Sequence, residues 1–259
     1  MKYILLKFYL FVISVLILTQ SCVSKKDVLY MQDINEYNPS EVQYNNTTIQ
    51  VDDILQINVW TLIAEASLPF NKMIPLMPQA TNLEVIKLEG YLVSQDKTIN
   101  FPVLGNLSVK NKTLVDLEKD LKKRLEDGGY LIDPTITVRL LNAKVTILGE
   151  VKTPGTYTFT ENNMSFLQVL GLAGDLTING NRKDIVLIRN VNGIQTTAHI
   201  NLTSANWLGG PYEYINPNDV IVVNPNEAKI KTAGYIGNAS VVLGIASIIL
   251  SSIVIITNL

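Results

Sequence analysis

Apolar and polar residues alternate over 54–60 (ILQINVW), the two-residue period of a strand with one buried face. A second strand-like patch, 98–105 (TINFPVLG), follows the polar turn SQDK. The period changes over 113–129, where Leu114, Leu117, Leu121 and Leu125 recur at three and four residues and share one helical face. Thr113 with Asp116 predicts a capped start for that helix, and Gly128 and Gly129 a stop. Strand character returns at 133–141, with Pro134 at the edge, where a missing N–H costs least. These elements predict a small α/β unit over 49–141.

The pattern then repeats in a different order. Two strand-like runs in 143–159 (AKVTILGEVKTPGTYTF) flank a turn, with Gly149 and Gly155 allowing its backbone angles and Pro154 fixing one. Ser165 with Gln168 opens a short helix, 166–173 supplies its apolar face, and Gly174 ends it. Strands at 184–190, 196–202 and 219–224 complete a hairpin, helix, strands order, which predicts a β-grasp over 143–225. The segment NWLGGPYEY (206–214) reads as the most exposed loop. Residues 28–50, rich in Asn, Tyr and Gln, lack apolar periodicity and read as a tether, so 22–48 is assigned that role. The stretch 61–83, with Pro69, Pro75 and Pro78, is too interrupted for a long helix and too apolar for an idle loop; it is expected to pack against a neighbour or line an interior.

Both termini are greasy. Lys2 and Lys7 precede FYLFVISVLIL and then TQSC, which predicts a secretory signal over 1–21. Cys22 is the only cysteine, so no internal disulfide forms; it is either a modified first residue of the mature chain or a free thiol beside an uncleaved anchor. At the other end, 235–257 carries no charge and as a helix would span roughly 34 Å, against a hydrocarbon core of about 30 Å. Gly237, Ser240, Gly244, Ser247 and Ser251 fall on one face of that helix, and Val, Ile and Leu fill the others. Small residues let helices approach, so the stripe points to assembly; a solitary anchor with chance spacing is the alternative. The expected architecture is therefore α+β: an α/β domain, a β-grasp domain and a C-terminal transmembrane α-helix.

Composition narrows the chemistry. The chain has 259 residues, 47% hydrophobic and 17% charged, with net charge −2, which gives no basic face for nucleic acid. One histidine, His199, and one cysteine cannot build a common zinc site, and no G-x-S-x-G elbow supports nucleophilic catalysis. The Asp52-Asp53 pair fits a turn better than paired-carboxylate hydrolysis, because neighbouring strand residues point to opposite faces. No phosphate-binding glycine motif occurs. The expectation is no enzyme, no cofactor and no metal, with hydrolysis as the rejected third reading. Trp60, Trp207 and Tyr212 could stack on sugar rings or pack in a core or subunit interface; both remain open.

The pieces VDDILQINVW, INFPVLGNLSV with the capped helix behind it, DPTITVRLL, VTILGEVKTPGTYTF, FLQVLGLAGD, IVLIRN and NPNDVIVVN occur in an order that resembles the outer-membrane polysaccharide export proteins. The resemblance implies a polysaccharide-export domain over 49–141 and one soluble-ligand-binding β-grasp domain over 143–225. It also implies lipidation at Cys22, although the usual Leu sits one place early at Leu18. The implied protein is lipid-anchored in the bacterial outer membrane with its body in the periplasm. It would form a ring-shaped homo-oligomer whose C-terminal helices cross the bilayer and pass capsular or extracellular polysaccharide. Its implied partner is an inner-membrane polysaccharide co-polymerase or tyrosine autokinase. The alternative is a doubly anchored glycan- or ligand-binding lipoprotein without a pore. Asp52-Asp53 and Asn218-Asp219 stand where the family has Gly-Asp, and Asp96-Lys97 where it has Asp-Gly. Asn and Asp tolerate a left-handed backbone, whereas Lys is a poorer substitute and predicts a different turn there.

Overall fold

A computed structural model of the protein describes residues 25–38, 47–72, 83–191, 193–233 and 239–257. The signal segment, Cys22 and Gly237 lie outside the described residues, and of Ser240 only the helical backbone is described. The first domain begins with β1 (Ile54–Trp60), a short α1 (Ala64–Ser67), α2 (Leu83–Glu89) and β2 (Tyr91–Leu92). Next come β3 (Thr98–Phe101), β4 (Gly105–Ser108), α3 (Leu114–Asp127) and β5 (Thr135–Leu140). β1 is central in an antiparallel β2-β1-β5 sheet and buries Leu55, Ile57 and Val59 on one face. Against that face lies α3 with Leu117, Leu121 and Leu125, all fully buried. Its capping box joins Thr113 and Asp116 reciprocally, and Glu118 Oε1 accepts a 2.8 Å bond from the Val138 amide on the β5 edge.

Two details differ from the pattern-based reading. The 98–105 patch is not one strand. Pro102 has no N–H to continue a ladder, Val103 and Gly105 take φ of 66° and 71°, and the chain folds into the β3–β4 hairpin. Lys97 keeps the left-handed conformation, φ 53°, and donates its amide to Ser94 O, so the turn before β3 retains its shape without glycine. Within the 61–83 insert, Phe70 is buried beside Tyr130 while Leu62, Ile63 and Leu68 are exposed; 73–82 lies outside the described residues.

The second domain contains β6 (Lys144–Gly149), β7 (Gly155–Thr158), α4 (Phe166–Leu172), β8 (Gly180–Val191), β9 (Ile194–Ile200) and β10 (Val220–Pro225). The sheet order is β7-β6-β10-β8-β9, with β10 parallel to β6 and every other pair antiparallel. A hairpin, a helix across the sheet, and a last strand inserted between the first and the third give the β-grasp order. α4 is capped by Ser165 and Gln168 and buries Phe166, Val169 and Leu170. β8 starts at Gly180, four residues before the predicted strand: Gly180 pairs with Pro225 of β10 past a register shift, and Arg182 is buried in the added stretch.

Two segments are more structured than their composition implies. In the stretch read as a tether, Tyr30 donates to Asp175, and Asp33 accepts from Ser204 and from the Ala205 amide. The Met31 and Gln32 amides donate to the carbonyls of Leu202 and Thr203, and Lys183 pairs with Asp27. The loop 206–214, expected to be exposed, is half-buried: Trp207 packs on Phe166 at 6.0 Å and Tyr212 lies against the core of the second domain. Aromatic area outweighs the polar, glycine-rich composition there.

Past β10 come α5 (Glu227–Ala233) and α6 (Ala239–Thr257). Among the described residues no helix is long and apolar enough to cross a membrane. The 19 residues of α6 extend about 28 Å, just under the ~30 Å hydrocarbon core. Leu243, Ile245, Ile248, Ile249, Val254 and Ile255 are exposed.

Candidate functional site

Two turns built on one plan lead into the central strands of the two domains. In Gln50-Val51-Asp52-Asp53, Asp52 has φ 66°, the Asp53 amide donates to Gln50 O, and Asp53 Oδ2 accepts back from the Gln50 amide at 2.8 Å. In Asn216-Pro217-Asn218-Asp219, Asn218 has φ 67°, the Asp219 amide donates to Asn216 O, and Asp219 Oδ2 accepts from the Asn216 amide at 2.8 Å. Both need a left-handed third residue, which Asp and Asn tolerate, and both bury the fourth-position carboxyl, leaving Asp53 6% and Asp219 1% exposed. Asn142, at the domain junction, holds the first turn to β1 by accepting from the Ile54 amide and donating to Asp52 O.

The buried carboxyls differ in their compensation. Asp219 receives Arg189 through Nε at 3.1 Å and Nη2 at 2.8 Å. Arg189 also donates to Pro211 O and Tyr214 O, and its guanidinium sits 5.6 Å from the Tyr212 ring. One side chain thus ties β8 to β10 and to the 206–219 loop. Burial pushes the Asp219 carboxyl up against the downward pull of Arg189. Among the described residues Asp53 accepts no hydrogen bond from a cation, and burial raises its carboxyl to about 6, only partly opposed by the Gln50 amide and by the charge of Lys97.

These groups meet in a groove between the domains of about 280 Å³, lined by Gln50, Asp53, Leu140, Arg189, Asn190 and Asn216, among others. A neighbouring cleft of about 410 Å³, between Thr113 and 159–163, shares Thr47, Leu114, Leu140 and Pro217 with it. Of the turn residues singled out in the sequence, Asp53 reaches the groove directly and Asp219 through Arg189. The others serve elsewhere. Gly149 has φ 89° where β6 meets β10, Pro154 and Gly155 open β7, Gly105 turns the β3–β4 hairpin, and Gly174 has φ 72° after α4. Trp207 and Tyr212 are half-buried behind the Arg189 network, and Trp60 is 61% exposed at the end of β1. On α6 the Ser247 and Ser251 hydroxyls donate to the carbonyls of Gly244 and Ser247, so the serines satisfy their own donors within the helix. His199 is exposed on β9 and pairs with Asp184, and among the described residues no cluster of three or more potential metal ligands occurs.

Pattern reading passes over Arg189, Asn142 and Asn216. The one available signal is an arginine within the apolar strand run IVLIRN, where a charge needs a buried partner.

Asp53 makes a pH prediction. Its unfolded-state carboxyl has its ordinary value of 3.8, so between about 4 and 6 the folded chain holds a proton that the unfolded chain has released, and stability falls as pH rises through that window. The penalty is absent below pH ~4 and complete above pH ~6, on the order of 3 kcal/mol. Asp53→Asn keeps an acceptor for the Gln50 amide and removes the charge. Denaturant unfolding in detergent is expected to show the variant equal to wild type near pH 4 and more stable near pH 7; equal differences at both pH values would contradict the assignment.

Comparison with known proteins covers both domains. Residues 41–141 match the family model described as polysaccharide biosynthesis/export protein, and residues 144–215 match that of the SLBB domain. The EPS I polysaccharide export outer membrane protein EpsA of Ralstonia nicotianae is 28% identical over 161 residues, 60% of this chain and 41% of that protein. The protein of the same name from Ralstonia solanacearum is 26% identical over 163 residues, with the same shares. The matched region thus spans about two fifths of each relative's length.

Proposed function

The chain belongs to the polysaccharide export family, and from that premise we propose that it is a subunit of an oligomeric outer-membrane conduit for capsular or extracellular polysaccharide. The observation that carries the reading is α6, whose aliphatic side chains at Leu243, Ile248 and Ile255 are exposed and need lipid or further copies to cover them. The uncharged run read from the sequence over 235–257 is as long as a helical bilayer crossing requires. Its serines bond to their own backbone, so they tolerate lipid as well as a neighbouring helix or an aqueous lumen. In this reading Gly244, Ser247 and Ser251 face an adjacent copy or the lumen, and Cys22 carries a lipid anchor. The body lies in the periplasm, and transport through it is passive. An inner-membrane co-polymerase or tyrosine autokinase supplies the driving force.

Assembly and export are tested together. Detergent-extracted full-length chain is expected to run as a large homo-oligomer and to appear as rings in electron micrographs, and deletion of 235–259 is expected to abolish both rings and export. A monomer at every concentration, with export unchanged by the deletion, would overturn the proposal.

A further inference from the structure

The groove between the domains is lined by polar groups that make no hydrogen bond among the described residues. Asn216 is 8% exposed and its backbone is spent on Asp219, yet its side-chain amide makes no hydrogen bond among the described residues and lines the groove. Asp53 uses Oδ2 for the Gln50 amide, and its Oδ1 has no partner among the described residues. Gln50 spends its Nε2 on Thr48, which leaves Oε1 to accept. None of these atoms is shut off from solvent, so a carboxyl oxygen and two side-chain amides in one groove are open to hydrogen-bond a polar ligand.

The chemistry of the set selects the ligand. Arg189, the cation in the wall, is committed to Asp219 and two carbonyls, so it offers an anion little, whereas Asp53 repels one. Hydroxyl groups, each donating once and accepting twice, suit a carboxylate beside amides. Leu140 and Pro217 add apolar wall for a ring's C–H face, and about 280 Å³ is the room of a single sugar residue rather than a long chain. We infer that this groove binds one neutral hexosyl residue of a glycan, held by Asp53, Gln50 and Asn216. The inference rests on the export reading only for the expectation that a glycan passes the protein. A conduit needs sites weak enough to release, so the dissociation constant is on the order of 1–10 mM.

The test uses full-length protein in detergent, with methyl glucoside, methyl galactoside, methyl mannoside and methyl glucuronide followed by saturation-transfer NMR. At least one neutral glycoside is expected to saturate, and the glucuronide to bind roughly tenfold more weakly or not at all. Asn216→Ala is expected to weaken neutral binding roughly tenfold. Val191→Trp, at a 41% exposed position of the groove wall, is expected to block binding. No saturation by any neutral glycoside, undiminished binding in Val191→Trp, or glucuronide binding as tight as the neutral sugars would each overturn the site. The two proposals fail separately. A chain that assembles and exports without saturable binding loses the groove site alone, and one that binds hexoses without assembling loses the conduit alone.

Discussion

Arg189→Ala is expected to destabilise the second domain by about 3–5 kcal/mol, the cost of leaving one member of a buried ion pair uncompensated. Asp219 would be left 1% exposed with a single N–H, from Asn216. The carbonyls of Pro211 and Tyr214 would lose their donor, and Tyr212 the cation against its ring. Against a typical total of 5–15 kcal/mol this is a large fraction. The damage should begin at the loop, so limited proteolysis within 206–214 is expected to accelerate well below the melting temperature. Asp219→Asn is expected to cost less, because Arg189 keeps both carbonyls and an amide oxygen. Arg189→Met combined with Asp219→Asn is expected to recover part of the loss, since no charge then lies buried. If Arg189→Ala unfolds in denaturant within 1 kcal/mol of wild type, the pair is not what fastens the loop.

Which parts could be read from the chain depends on how far apart the interacting residues lie. The α3 helix is legible because its leucine face and its Thr113/Asp116 cap lie within one helix of each other. The start of β1 is legible for a similar reason, since alternation over seven residues marks the buried face directly. Arg189 stands out in an apolar strand, but its partner is 30 residues away and neither residue type nor spacing names it. The 206–214 loop misleads through composition: Gly209, Gly210 and Pro211 mark a turn, while what decides exposure is Trp207 meeting Phe166 some 40 residues earlier. Residues 27–33 carry no periodicity because they dock through two backbone amides and single polar contacts, an arrangement that leaves no repeating pattern. The groove is the least legible feature, since Asp53 and Asn216 come from separate domains and are joined only by the tertiary fold.

Gly149→Ala is expected to be the most damaging small substitution in the second domain. Gly149 has φ 89°, which for a residue with a side chain costs about 1–3 kcal/mol. The steric conflict is more severe: a Cβ there would stand 2.0 Å from Val223 O and 2.9 Å from its carbonyl carbon. Backbone, unlike a flexible side-chain end, cannot swing aside, so β10 would have to move. That carbonyl also accepts the Glu150 amide at 2.9 Å, and Val223 is fully buried in the parallel β6–β10 pair at the centre of the sheet. Losing a buried backbone bond adds about 1–3 kcal/mol, before any loss of packing. Gly193 supplies the control, with φ 83° and nothing within 4 Å of an added Cβ, so Gly193→Ala carries the conformational cost alone. Denaturant unfolding is expected to place Gly149→Ala roughly 3–6 kcal/mol below wild type and Gly193→Ala only about 1–2 kcal/mol below. Equal losses at the two positions would mean that backbone conformation, and not the close approach of β10 to β6, is what requires glycine at 149.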